Sequence, residues 1–261
     1  MAHGSHQITT RSSRCCMAAS TAAAASRDER VSEPEDRFRY ERKFATQSLT
    51  PHLAESVVRE HPALFRQAYP DRDVCNVYFD DLNLQSLKAN LDGIPNRTKT
   101  RIRWYGEIRG LANKAQLEFK IKKGLVGTKE IYALAPIDTR SGQIEAAIAE
   151  QLRSSDLPEA VALRIRMQEP TLLNSYSRKY FLSADGRFRV TIDSNMRFYP
   201  ARNPWKRRPA QHVGAIVVEL KYARADNDTA SAVAQKLLFR LSRSSKYVTG
   251  MNLLFGVSDF H

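Results

Sequence analysis

Residues 97–105 read Arg-Thr-Lys-Thr-Arg-Ile-Arg-Trp-Tyr, and residues 116–122 read Gln-Leu-Glu-Phe-Lys-Ile-Lys. In the first stretch Arg97, Lys99, Arg101 and Arg103 fall on every second position, and in the second Glu118, Lys120 and Lys122 keep that spacing. Side chains of a strand alternate between its two faces, so the first stretch lines one face with cations. An earlier segment repeats the habit: Arg37, Arg39, Glu41 and Lys43 share one face, while Phe38 and Tyr40 take the other. Like charges opposite one another in a sheet repel. A chain that builds such a face is expected to have a polyanion to put there.

The chain has 261 residues, 42% of them hydrophobic, and a formal charge of +13. That length suits one large domain or two small ones, and single all-β barrels reach it. Residues 1–36 carry four Arg against five Asp and Glu, so the basicity belongs to the remainder, at +14. A basic fold suits nucleic acid, an anionic membrane or a phosphate compound. No apolar run approaches the roughly 18–20 residues of a membrane span. Cys15, Cys16 and Cys75 show no metal-ligand spacing and no evident pairing, which favours a reducing, cytoplasmic compartment.

Residues 1–36 are rich in Ser, Ala and Thr and read as a disordered segment ahead of a folded domain over 37–261. Strands are expected at 37–44, 73–80, 97–105, 115–123, 128–134, 172–182, 187–193 and 213–222. Asp185–Gly186 supplies a hairpin turn. Helices are expected at 50–68, where Thr50 can cap and Pro51 suits the first turn, and at 83–90, from Ser141, at 158–167 and at 226–241. A basic loop at 203–209 and a closing segment at 244–256 complete the pattern. Alternating strands with one charged face predict a mainly β, α+β fold: an eight-stranded antiparallel barrel with a polar interior and peripheral helices.

The period-2 positions collect two sets. The cations are Arg37, Arg39, Lys43, Lys99, Arg101, Arg103, Lys120, Lys122, Arg178, Arg189 and Lys221; the carboxylates are Glu41, Glu118, Asp193 and Glu219. Glu219 stands among Ile216, Val218 and Leu220, and burying it is costly unless it is paired or bound to metal. Arginine forks and lysine point charges hold phosphate oxygens, and a few carboxylates can hold Mg²⁺ or Mn²⁺ that bridges them. This equipment suits phosphoryl transfer. The bland alternative is a sheet with one solvated face, which weakens as strand after strand repeats the habit. A nucleic-acid surface is the other alternative, but it usually puts aromatic rings on the binding face, and Phe38, Tyr40, Trp104 and Phe119 alternate away from the charges.

Taken in order, YERKF (40–44), VYFD (77–80), NLDG (90–93), KTRIR (99–103), LEFK (117–120), YSR (176–178), RVTID (189–193), VELK (218–221) and SKY (245–247) resemble the VTC domain. That is the catalytic domain of vacuolar transporter chaperone polyphosphate polymerases, within the triphosphate tunnel metalloenzymes. The resemblance runs from about Phe38 to Gly256. It implies an eight-stranded tunnel that binds ATP or another triphosphate, polyphosphate and a divalent cation, Mn²⁺ or Mg²⁺, with no specific nucleic acid. It implies phosphate ligands at Lys43, Arg101, Arg103, Lys120, Arg178 and Arg189, with Lys246 near the C-terminal end of the tunnel. Tyr176 would support Arg178, and Arg39, Lys99, Lys122, Lys129, Lys221 and Arg243 would add to substrate binding. Glu219 would be the principal metal ligand, with Glu41 and Glu118 as further candidates. Where the adenylate cyclase and thiamine triphosphatase branch opens with Glu-x-Glu-x-Lys, this chain has Arg39, Glu41 and Lys43, which favours the polymerase branch. The activity implied is transfer of the ATP γ-phosphoryl group to a growing polyphosphate, through a tunnel open at both ends. An inorganic triphosphatase and a polyanion-binding module remain the alternatives.

Overall fold

A computed structural model describes residues 38–202, 204 and 210–257. The readings for 1–36, for Arg37 and for most of the basic loop 203–209 fall outside the described residues. In chain order the elements are β1 (Arg39–Thr46), α1 (Pro51–Arg59), β2 (Arg66–Asp80), α2 (Gln85–Leu91), β3 (Arg97–Tyr105), β4 (Leu111–Ala112), β5 (Gln116–Lys123) and β6 (Val126–Ala133). There follow β7 (Ile137–Asp138), α3 (Ile144–Ser154), α4 (Glu159–Arg166), β8 (Glu169–Leu182), β9 (Phe188–Pro200), β10 (Gln211–Val213), β11 (Ile216–Ala223), α5 (Asn227–Lys236) and α6 (Lys246–Phe255).

Eight strands close on themselves, every pair antiparallel, in the order β1, β6, β5, β3, β2, β8, β9, β11 and back to β1. Closure removes the unpaired edges that an open sheet of this size would expose. The short β10 adds to β9, and β4 pairs with β7 outside the barrel.

The outward face carries two apolar cores. In one, Phe44, Val190, Ile192, Val218 and Leu220 pack under α1 and α5 through Ala54, Val58, Ala230 and Val233. In the other, Val77, Ile102, Trp104, Leu117 and Phe119 pack under α3 and α4 through Ile144, Ile148, Val161 and Ile165. Burying a large side chain of this kind contributes about 1.5–3 kcal/mol. A third cluster lies on the inward face: Val74, Tyr78, Leu172, Tyr176 and Val217 meet Tyr247, Met251 and Leu254 of α6. One end of the barrel is therefore covered in part by a helix, where a passage open at both ends was expected.

Several boundaries differ from the sequence reading for physical reasons. Thr50 caps α1 and Pro51 opens it as expected. The helix stops at Arg59, however, and residues 66–68 join β2. His61 precedes Pro62, which disfavours helix at that position, and Leu64 takes φ 51°. β9 runs on to Pro200; Asn195, at φ 53°, lies where the β8 register slips between Ser175 and Ser177, which lets the strand continue. α5 ends at Lys236, and past Leu238 at φ 56° the chain turns back so that Leu241 bridges to Phe44.

The tightest point of the α6 seat is Gly250. A β-carbon there would lie 2.5 Å from Phe198 Cδ1 and 2.6 Å from Leu172 Cδ2. Gly250→Ala should therefore overpack the seat, costing about 1–3 kcal/mol and lowering Tm by several degrees in a thermal melt. An unchanged Tm would mean that α6 moves freely on the inner face.

Candidate active site

Strand register decides what faces inward. Lys43 of β1 stands opposite Glu219 of β11, and Glu41 opposite Lys221. Glu219 and Val217 stand opposite Thr191 and Asp193 of β9, and Asp193 opposite Arg178 of β8. Across the barrel, Arg101 faces Glu118, while Lys99, Lys120 and Lys129 form one row over β3, β5 and β6. Alternation thus puts Glu41, Lys43, Lys99, Arg101, Glu118, Lys120, Arg178, Asp193 and Glu219 on the inward face.

Four carboxylates organise the cations. Asp193 is fully buried and accepts from Arg178 through both oxygens, Nε to Oδ1 at 2.6 Å and a terminal nitrogen to Oδ2 at 2.7 Å. The same Oδ2 accepts from Lys246, so α6 is tied to the barrel wall by charge as well as by packing. Glu219 pairs with Lys221 at 2.8 Å, Lys43 at 3.4 Å and Arg178 at 3.6 Å. Glu41 bridges Lys43 and Lys120, each at 3.0 Å. Glu118, 1% exposed, takes Arg101 Nε at 2.7 Å and Lys129 at 3.2 Å. Arg103 donates to Asn76 Oδ1 at 2.8 Å and to the Tyr176 hydroxyl at 3.1 Å, and Asn76 in turn donates to Asn174.

The titration of these groups follows from that arrangement. Burial would raise the Glu219 carboxyl, but Lys221, Lys43, Lys246 and Arg178 hold it well below the usual range. Burial opposes ionisation of Glu41 and Glu118 too, yet Lys120 and Lys43 for the one, and Arg101 and Arg103 for the other, keep both ionised. Lys43, between Glu41 and Glu219, is pushed up despite burial. Lys99 is the exception. Among the described residues its side-chain nitrogen donates only to Ser245 Oγ, at 2.8 Å, and burial with Lys43 and Lys120 nearby pushes it down to about 6. Lys120 gains from Glu41, but burial and Lys43 together outweigh that gain and bring it to about 8.

The remaining predicted residues sit nearer the ends of the tunnel. Arg39, Arg189 and Arg243 are exposed, and Arg39 and Arg189 have no ion-pair partner among the described residues. Lys122 lies opposite Arg97. Burial lowers both; Arg243 adds to this for Arg97, and Arg97 does so for Lys122, with smaller contributions from Lys43 and Arg243. Ser245, first residue of the SKY motif, caps α6 at Val248. Asn76, Asn174 and Thr191 were not picked out from the sequence. Their signal was available for Asn76, which keeps step with Val74 and Tyr78 in DVCNVYFD. Period 2 marks the others too: Asn174 keeps step with Tyr176 and Arg178, and Thr191 with Arg189 and Asp193.

A divalent cation can be weighed against these donors. Among the described residues no group of three or more His, Cys, Asp or Glu could hold a metal alone. The donors fit an ion held jointly with phosphate oxygens, as Mg²⁺ commonly is with one or two carboxylates. Glu219 would be the carboxylate, and Thr191 Oγ1, directly across the strand pair, is buried with no hydrogen-bond partner.

Solved structures with similar folds are distant. A candidate adenylate cyclase from Vibrio parahaemolyticus aligns at 12% identity and TM-score 0.48, over 82% of this chain and 98% of that one. A candidate adenylyl cyclase from Hippeastrum, described as having a dominant triphosphatase activity, aligns at 14% identity and TM-score 0.45, over 82% of this chain and 95% of that one. A candidate adenylate cyclase from Bacillus halodurans aligns at 14% identity and TM-score 0.46, over 83% of this chain and 97% of that one. No curated protein matches the chain. The model of the VTC domain matches residues 38–255, every barrel strand and α6 included. With that span and a closed barrel whose lumen gathers the expected cations, the chain belongs to the VTC domain family.

Proposed function

We propose that the tunnel binds ATP with a divalent cation and transfers the γ-phosphoryl group to the end of a polyphosphate chain. The observation that carries this reading is the row Lys99–Lys120–Lys129 on three adjacent strands, in which Glu41 pairs with Lys120 and Glu118 with Lys129 while Lys99 makes no ion pair among the described residues. Such a row costs stability until an anion with repeated charges lies along it. Family membership and Arg39 at the position where the cyclase and thiamine triphosphatase branch has Glu support the polymerase over the hydrolase.

In the reaction a terminal phosphate oxygen of the polymer attacks the γ-phosphorus. The bond from that phosphorus to the β–γ bridging oxygen breaks, and ADP leaves. Such a transfer asks the protein for positioning and charge. Arg101, Arg103, Lys120, Arg178 and Arg189 would hold phosphate oxygens, Lys43 and Lys221 would keep Glu219 ionised, and Lys246 would orient the reacting end. A bound Mn²⁺ or Mg²⁺ would supply Lewis-acid charge beside Glu219. No Ser, Cys or His nucleophile is needed. Cys75 is buried and in no disulfide among the described residues. Among the described residues no helix is long and apolar enough to cross a membrane.

One observation favours the second reading, an inorganic triphosphatase. α6 covers part of one end, and a hydrolase needs no exit for a polymer. Product analysis separates the two. Purified protein with ATP and Mn²⁺ should give a polyphosphate ladder on a gel. Arg101→Ala and Glu219→Ala should each cut turnover roughly 10²–10³-fold, the scale of losing one preorganised charge. Clean conversion to ADP and free phosphate would give the site to hydrolysis.

Lys99 supplies a pH test. Its pKa is lowered to about 6 from 10.5, so between those values the unfolded chain binds a proton that the folded chain does not. The contribution of this group to stability therefore rises with pH across that window. Phosphate binding favours the charged ammonium, so binding should take up about one proton near pH 7.5. Calorimetry of tripolyphosphate binding in two buffers of different ionisation enthalpy should report this uptake, and Lys99→Met should remove most of it. Equal heats in both buffers for the parent protein would refute the assignment.

A further inference from the structure

The tunnel reading leaves one group of side chains unused. Arg72 of β2 stands on the inner face, opposite Arg178 of β8. It is exposed and makes no ion pair among the described residues. Its guanidinium lies instead over three tyrosine rings, 5.3 Å from Tyr69, 5.5 Å from Tyr105 and 5.8 Å from Tyr180. Tyr69 meets Tyr180 edge to face at 5.7 Å. Tyr69 and Tyr105 are 52% and 44% exposed, so ring surface is left open at the rim.

This group is continuous with the phosphate-binding set. Arg178, clamped by Asp193, lies 5.9 Å from the Tyr180 ring on one side and 5.2 Å from the Tyr176 ring on the other. Tyr176 in turn accepts from Arg103. Rings and guanidinium groups therefore alternate from the buried lumen to the rim. It is also the place where aromatic side chains share a face with the cations, the combination that the outward Phe38, Tyr40, Trp104 and Phe119 lack.

Aromatic faces and guanidinium planes stack on nucleobases whatever their hydrogen-bonding edge. Inorganic phosphate has no use for either. We propose that Tyr69, Tyr105 and Arg72 form a subsite for the base of a nucleoside triphosphate whose phosphates lie in the tunnel. The inference rests on the phosphate-binding reading above and deepens it: the base of the nucleotide is held by stacking, which discriminates little between bases. Arg72 is the adaptable member, free to stay on the rings or lie over the base.

The test compares two ligands that share phosphates and differ in the base. Affinities of the full chain for ATP, GTP and tripolyphosphate, each with Mn²⁺, are measured by calorimetry for the parent protein, Tyr105→Ala, Tyr69→Ala and Tyr105→Phe. The parent should bind ATP and GTP alike, and Tyr105→Ala should weaken both about tenfold with tripolyphosphate affinity unchanged. Tyr105→Phe should keep parent affinity, since it keeps the ring. A thermal melt of each variant separates lost folding from lost stacking, and Tyr69→Ala gives the same comparison if Tyr105→Ala fails to fold. ATP and tripolyphosphate weakening together, or neither weakening, would overturn the subsite while leaving the tunnel reading in place. Failure of the parent to bind tripolyphosphate at all would overturn the tunnel reading and this inference with it. Equal binding of a single-stranded oligonucleotide lacking a triphosphate, lost in the same variants, would make the rim a nucleic-acid surface and overturn the nucleotide assignment.

Discussion

The structure depends on an unequal balance of charge inside a closed sheet. Each inward carboxylate is shared: Glu41 by Lys43 and Lys120, Glu118 by Arg101 and Lys129, Asp193 by Arg178 and Lys246, Glu219 by Lys43, Lys221 and Arg178. Sharing keeps every carboxylate ionised despite burial. It also leaves more cations than carboxylates in the lumen, and among the described residues Lys99 makes no ion pair. Removing one partner of a buried pair commonly costs 3–5 kcal/mol, whereas the pair itself adds little net stability over apolar replacements. Such a lumen is better understood as a binding device than as a source of stability.

Stability must then come from elsewhere, and the outward face provides it. The same strands that send Lys43, Arg101 and Glu219 inward send Phe44, Ile102 and Val218 outward, under α1, α5, α3 and α4. A one-residue slip of any strand would exchange the two sets. The cost of that exchange, charges into the apolar cores and large side chains into the lumen, fixes the register on which the site depends.

This coupling is why the charged face was legible from the sequence. The alternation in 97–103 and 116–122, with 39–43 beside them, survives into the structure at strand ends accurate to a residue or two. What was not legible depends on contacts distant in the chain or on backbone angles that leave no compositional mark. Leu238 and Asn195 take positive φ without a glycine to announce it. The merger of 66–68 into β2 rests on pairing with β8, far along the sequence, and was masked by a plausible helical pattern upstream. Tyr69 was hidden for the same reason, since it reaches the inner face only through that pairing.

α6 shows how far the site extends beyond the barrel strands. Lys246 reaches Asp193, Ser245 accepts from Lys99, the Ser244 carbonyl accepts from Lys43, and Tyr247 donates to Asp80. Asp80 in turn accepts from the first turn of α2, at Ser86 and Leu87. One short segment thus supplies a cation, a hydroxyl and a carbonyl to the lumen while its apolar side fills part of one end. The lumen's charge and the shape of that end cannot change independently, because both are held by the same helix. An anion that recruits Lys43 or Lys99 competes with Ser244 and Ser245 for them, so occupancy of the tunnel bears directly on how firmly α6 is seated.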